Sequence, residues 1–250
     1  MTGTSPASAV EIEDLTLGYG QAKVLHGLDL EIAAGEILTV TGPSGCGKST
    51  LLRAIAGLLA PLSGRILVDG EPIEGTSADR ALVFQDDGLL PWRSVRRNVE
   101  LPLAIRKLPK AARRERAESW IVQIGLQGYE NHLPRELSGG MRQRVQLART
   151  LAGTPRIVLA DEPFGALDAQ SRVAMQRLLV DVWRQHPTTI VFVTHDVAEA
   201  LFLGDRVAVL DKDGRLADVV ESPGPRTDDA DTTAARGRIL AAISGLAEAA

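Results

Sequence analysis

Excess positive charge, long apolar runs and paired cysteines are all missing from this chain, and each absence closes off a class of function. Its 28 Lys and Arg are outnumbered by 32 Asp and Glu, for a net charge of −4. General nucleic-acid binding wants a basic surface, so that role is disfavoured. No apolar run approaches the roughly 20 residues of a membrane-spanning helix, so the chain is not expected to cross a bilayer by itself. The single cysteine, Cys46, cannot form an internal disulfide and suits a reducing compartment. Residues 1–9 are small and polar, predicted to be a flexible tail and without the basic-then-apolar order of a signal peptide. The expectation is a soluble cytoplasmic protein. Aromatics make up only 4% of the chain, yet 44% of its 250 residues are hydrophobic, enough for one large core or one core with a small lobe.

What is present centres on Gly42-Pro43-Ser44-Gly45-Cys46-Gly47-Lys48-Ser49-Thr50, which fits the phosphate-loop pattern G-x-x-x-x-G-K-[ST] at every fixed position. Residues 36–41 before it are short, apolar and β-branched, as in a buried strand. After it Leu51, Leu52, Ile55, Leu58 and Leu59 recur at helical spacing as far as Pro61, so a helix is predicted there. Glycines allow backbone N–H groups to turn inward around a polyphosphate, and a helix N-terminus adds partial positive charge. Lys48 is placed to reach the β- and γ-phosphates and the Ser49 hydroxyl to ligate Mg²⁺. A nucleoside triphosphate site follows.

The rest of the chain supplies polar residues at the ends of further strands. Alternating apolar residues at 10–17 and 28–32 predict half-buried antiparallel strands, with Tyr19 between them in a Gly18-Tyr19-Gly20 turn. That ring either covers the sheet edge or offers a flat face for adenine. Residues 65–70 read as a strand entering a turn, and residues 81–84 as a buried strand ending on Gln85. A polar residue past the carboxyl end of a parallel strand points into the ligand crevice, so Gln85 either contacts Mg²⁺ or the attacking water, or caps a loop. From 86 to 153 strand signals vanish and helical stretches are punctuated by prolines, which predicts an inserted helical lobe. Arg113, Arg114 and Arg116 read as a solvated helix face. The lobe ends on Leu137-Ser138-Gly139-Gly140-Met141, and a helix is predicted right after the glycines, where its N-terminus makes a second anion site. Residues 156–160 form a buried strand capped by Asp161 and Glu162, suited to hold Mg²⁺ and to activate water respectively. Val173, Met175, Leu178, Leu179, Val182 and Trp183 are predicted to be core. Residues 189–194 end on His195, on the same sheet edge. Strands at 206–210 and 216–220 flank an Asp213-Gly214 turn. Residues 222–250 are expected to be a partly disordered tail with a short Ala-rich helix near 239–246.

The order and spacing of Tyr19, the loop at 42–50, Gln85, the Leu137-Ser138-Gly139-Gly140 turn, Asp161, Glu162, Asp168 and His195 resemble the ATPase subunit of an ATP-binding cassette (ABC) transporter. The likeness spans about residues 10–221. It departs at Met141, where the family commonly has glutamine. The resemblance implies an α/β fold, a P-loop NTPase (RecA-like) core at 10–85 and 154–221 with an antiparallel β subdomain, and an inserted helical subdomain at 86–153. It implies ATP and Mg²⁺ as ligands: Tyr19, residues 42–50, Ser138, Gly139, Gly140 and Asp168 for the nucleotide, and Ser49, Gln85 and Asp161 for the metal. Glu162 would be the base, with His195 and Gln85 beside the γ-phosphate. The implied partners are a second copy stacked head to tail, transmembrane permease subunits docking near the helical subdomain, and a solute-binding protein. The implied location is the cytoplasmic face of the inner membrane. Segments 87–93 and 161–168 look most like importers of taurine, alkanesulfonates or nitrate. An exporter ATPase and a soluble, non-transport ABC ATPase are the alternatives; the latter usually carries tandem cassettes or a coiled-coil insertion.

Overall fold

The computed structural model describes residues 7–20, 22–228 and 230–245. Two sheets share the chain. β1 (Val10–Tyr19), β2 (Ala22–Ile32), β4 (Ser63–Val68) and β5 (Glu71–Pro72) form an antiparallel sheet in the order β2-β1-β4-β5. The second sheet has the order β10-β9-β3-β8-β7-β6, from β3 (Ile37–Thr41), β6 (Arg80–Val83), β7 (Ile157–Asp161), β8 (Thr189–Val193), β9 (Arg206–Leu210) and β10 (Leu216–Glu221). Its first five members in chain order are mutually parallel, and only β10 runs antiparallel, against β9. Helices complete the order: α1 (Lys48–Ile55), α2 (Val95–Ile105), α3 (Lys110–Gln123), α4 (Gly139–Ala152), α5 (Ala169–Gln185), α6 (Val197–Leu203) and α7 (Thr233–Ser244).

The near-continuous apolar composition of β3, β7 and β8 follows from burial on both faces. Successive side chains in a strand point to opposite sides, and here they divide between two cores. Val158, Ala160, Ile190 and Phe192 join α2–α5 on one face. Ile157, Leu159, Val191 and Val193 join α1 and the antiparallel sheet on the other. Parallel strands buried in this way place all their carboxyl ends along one edge. Along that edge the phosphate loop follows β3, His195 follows β8, Glu162 follows β7 and Gln85 follows β6.

Several local expectations are corrected. The helix after the phosphate loop ends at Ile55 and does not reach Leu59. Gly57 leaves it with φ +77, and a Cβ there would sit 1.9 Å from the Gly75 carbonyl oxygen, so the close approach of the β4–β6 connection cuts the helix short. Leu58 is accordingly exposed. Tyr19 is the last residue of β1, paired with Ala22, rather than the centre of a turn. Phe84 lies beyond β6 and is half exposed. Gly139 and Gly140 form the first turn of α4 instead of preceding it. Val173 faces solvent, and Val180 takes the buried position on α5.

The chain termini carry more structure than their composition suggests. Ser8 is buried, its carbonyl accepting from Thr189 Oγ1 at 2.6 Å, and Ala9 N–H donates to Asp69 Oδ1 at 2.9 Å. After β10, Ala235, Ile239 and Ala242 of α7 bury against Leu201, Val207 and Val220. The Arg226 guanidinium lies 4.5 Å from the Trp183 ring centroid and also bonds Asp205. These three buried side chains and the stacked arginine tie the segment to the core sheet. The outermost predicted tail residues, 1–6 and 246–250, lie outside the described residues.

Candidate nucleotide site

The loop at 42–50 wraps the start of α1. Gly47 occupies the N-cap position at φ +104, and a Cβ there would come 2.8 Å from Leu25 Cγ. No side chain caps the helix and no acidic residue sits in its first turn. Its leading N–H groups therefore remain as donors at the positive end of the helix dipole. Lys48 is only 7% exposed, and its ammonium donates to the Gly42 and Pro43 carbonyls at 2.8 Å each. Cys46, within the loop, is buried, with Lys48 Nζ 3.8 Å from its sulfur. Burial pushes its thiol above the ordinary pKa, which makes it a poor nucleophile.

Two contacts tie groups together along the carboxyl edge of the sheet. Ser49 Oγ donates to Asp161 Oδ1 at 2.9 Å, linking the phosphate loop to β7. His195 Nδ1 lies 3.0 Å from Glu162 Oε2, linking the end of β8 to that of β7. An ionised carboxylate only accepts, so Nδ1–H is the donor. Glu162 has φ +44, a left-handed conformation that costs a non-glycine residue about 1–3 kcal/mol. It is held there by its N–H to the Val193 carbonyl (3.0 Å) and by its carbonyl, which accepts from Gly165 N–H (3.1 Å). Gln85 reaches the same place: a Cβ built on Gly165 would be 3.7 Å from both Gln85 Nε2 and Glu162 Oε2.

Burial raises the Asp161 carboxyl above the usual carboxylate range, partly offset by the Ser49 hydroxyl. A carboxyl with a raised folded pKa binds its proton more tightly folded than unfolded, so stability falls as pH climbs through that value. Asp161→Asn, which keeps an acceptor for Ser49, is expected to melt above the native protein at neutral pH without nucleotide, and to hydrolyse ATP poorly. A lower melting temperature would show that the carboxylate stabilises the fold. Among the described residues no group of three or more His, Cys, Asp or Glu is arranged to hold a metal alone. Mg²⁺ commonly uses one or two protein oxygens and takes the rest from water and phosphate. Ser49 and Asp161 fit that ion, and Gln85 lies on the Glu162 side of the same edge.

The remaining predicted residues divide into two places. The half-exposed Tyr19 (49%) stands beside α1, its hydroxyl accepting from Arg53 Nη1 at 3.1 Å. That guanidinium, with a smaller contribution from Thr50, draws the phenol below its usual pKa. The ring therefore borders the phosphate loop with a free face. Tyr19→Ala is expected to weaken ATP binding by about 0.5–1.5 kcal/mol, two- to tenfold by titration; unchanged affinity would leave the ring a purely structural role. Ser138, Gly139 and Gly140 sit on the helical lobe instead, where Ser138 caps α4 by accepting from Met141 N–H at 3.3 Å. Asp168 caps α5 through Ser171 N–H at 2.9 Å; the Ser171 hydroxyl, and after it this N–H, hold its carboxyl below the usual range. A Cβ on Gly140 would lie 3.9 Å from Ser171 Oγ, so the two caps adjoin.

Three polar residues around the site have no motif to announce them. Glu199 on α6 is buried; its carboxylate accepts from Thr194 Oγ1 (2.5 Å) and Gln176 Nε2 (2.9 Å). It braces the turn carrying His195 against α5. Gln146 and Asn98, both buried in the helical lobe, hold the loop that carries Gln85. The available signal was a polar residue at an otherwise buried helical position, and it identifies no partner.

A protein-family profile described as ABC transporter matches residues 25–165. The chain belongs to the ABC transporter ATP-binding family. An uncharacterized ABC transporter ATP-binding protein of Methanocaldococcus jannaschii is 48% identical over 87% of this chain and 85% of its own length. The taurine import ATP-binding protein of Yersinia pestis is 45% identical over 86% of this chain and 80% of its own. The aliphatic sulfonates import ATP-binding protein of Rhodopseudomonas palustris is 46% identical over 94% and 83%. Among solved structures, an ATP-binding cassette described as a dimeric post-hydrolysis state bound to ADP and Pi superposes with TM-score 0.76 at 34% identity, covering 86% of this chain and 99% of its own. A Clostridium perfringens component of an ABC transporter complex gives 0.80 at 28% identity over 96% and 95%. The ABC ATPase assignment fits the P-loop α/β architecture and the site assembled along its sheet edge. No helix among the described residues is long and apolar enough to cross a membrane.

Proposed function

We propose that two copies of this ATPase stack head to tail, hydrolyse ATP between them, and power import of a small anion such as taurine, an alkanesulfonate or nitrate. The observation that carries the ATPase chemistry is the pair of contacts along the carboxyl edge of the sheet, Ser49 with Asp161 at 2.9 Å and Glu162 with His195 at 3.0 Å. Lys48 and the first N–H groups of α1 bind the phosphates. Ser49, Asp161 and Gln85 would hold Mg²⁺, which neutralises phosphate charge. Glu162, oriented by His195, takes the proton of the attacking water.

The head-to-tail arrangement accounts for the separation of the two anion-binding turns. The turn at 138–140 sits on the helical lobe, and stacking two copies would set it over the partner's phosphate loop, giving two composite sites related by a twofold axis. Bound ATP would touch both surfaces and favour the closed pair through its differential affinity. Mixing tests this directly. Lys48→Met and Ser138→Arg proteins should each be inactive. An equimolar mixture would form half mixed dimers with one intact site each, restoring about a quarter of native activity. No recovery on mixing would exclude shared sites.

Import is supported by the names of the relatives, and a permease contact by the lobe itself. Trp92 is 73% exposed on the loop that leads from Gln85 into α2, the kind of aromatic that anchors an interface. Such a contact would keep the ATPase at the cytoplasmic face of the membrane and carry its opening to the permease, while a separate solute-binding protein selects the anion. Tagged Glu162→Gln protein recovered from its native membranes with ATP should bring down a multi-span permease and a solute-binding protein, whose ligand names the anion. Recovery of only soluble partners would discard transport and keep the ATPase.

A further inference from the structure

The loop that carries Gln85 leaves the core sheet but is fastened to the helical lobe. Gln146, on α4, is 2% exposed, and its amide nitrogen donates to the carbonyls of Phe84 (3.0 Å) and Asp86 (2.9 Å). A carboxamide nitrogen has two hydrogens, so both are committed, one on each side of Gln85. Its neighbours along the same face extend the attachment. Arg149 donates to Gly88 O at 2.7 Å and Asp87 O at 3.1 Å, and Arg142 pairs with Asp87 Oδ2 at 2.8 Å. Further on, Asn98 of α2 accepts from Leu90 N–H at 2.9 Å and donates to the Arg93 carbonyl at 2.9 Å.

Holding the Phe84 carbonyl fixes the peptide plane that leads into Gln85, and holding the Asp86 carbonyl fixes the plane one residue beyond it, so the short segment that carries the Gln85 side chain is clamped at both ends. The other contacts act on the loop farther along or, in Gln143, reach the Gln85 carbonyl at a long 3.4 Å. We propose that Gln146 is the positioning residue for Gln85, locking it to α4 so that Gln85 and the Ser138–Gly140 turn at the start of that helix reorient as one body. This rests on the reading of Gln85 as a group that contacts Mg²⁺ or the attacking water.

Gln146→Met keeps length and approximate volume and removes both donors. Gln146→Asn keeps an amide too short to bridge the two carbonyls, and serves if the methionine variant melts early. Either is expected to lower kcat about tenfold, as a misplaced group does, and to raise the Mg²⁺ needed for half-maximal activity several-fold. ATP binding measured in EDTA should stay native, which a merely damaged fold would not allow. In a Gln85→Ala background the Gln146 substitution should add nothing. Independent, multiplicative losses in the double variant, or native kcat and Mg²⁺ dependence in both Gln146 variants, would overturn the proposal alone. Native kinetics in Gln85→Ala by itself would overturn the reading of Gln85 and the proposal with it.

Discussion

Glu162→Gln protein is expected to bind ATP with native affinity, accumulate as a dimer, and turn over at least about a hundredfold more slowly, the loss typical of a missing general base. The carboxamide has the shape of the carboxylate, and its oxygen still accepts from His195 Nδ1, so the contact at 3.0 Å survives. Backbone bonds to Val193 and Gly165 hold position 162 at its positive φ in either case. What disappears is the ability to take a proton. Because hydrolysis is what releases the ATP joining two copies, the variant should remain paired. Phosphate release and size-exclusion chromatography with ATP measure both effects. A native hydrolysis rate would move the base elsewhere, and a monomer with ATP bound would contradict the shared site.

Lys48→Met is expected to weaken ATP binding about a hundredfold. Charge-assisted hydrogen bonds contribute about 1.5–3 kcal/mol each, and losing two at the lower value is about 3 kcal/mol, or two powers of ten in Kd. The Lys48 stem is buried in the loop, and an unbranched methionine fills nearly the same space. Loop packing should therefore persist even though Gly42 and Pro43 lose the ammonium that bonds their carbonyls. Calorimetric titration with ATP gives the affinity, and a melt without nucleotide reports whether the loop still packs. Undiminished affinity would mean that the ammonium serves the loop's own carbonyls and not a phosphate.

Gln146 and Asn98, which hold the Gln85 loop, explain why the site is harder to read than the motifs that make it. Phosphate-loop, signature and strand-end residues announce themselves because their chemistry needs fixed types at fixed local spacing. Gln146 and Asn98 serve a loop whose backbone lies 60 or 8 residues away. Their job is to satisfy carbonyls, which every residue has, so no partner residue type marks them.

The sequence by itself determined the family, the positions of the phosphate loop, Glu162 and His195, and the run of apolar strands. Local spacing encodes those features: buried parallel strands need uninterrupted apolar residues, and an anion cradle needs glycine before a helix. Only the tertiary structure decided which residues meet. The strand order set Glu162 beside His195 and Ser49 beside Asp161, because pairing between distant strands depends on the whole sheet closing around its core. It also decided where α1 stops and how α7 packs. There the deciding contacts come from Gly75 and from β9, β10 and α6, segments whose proximity no local pattern records.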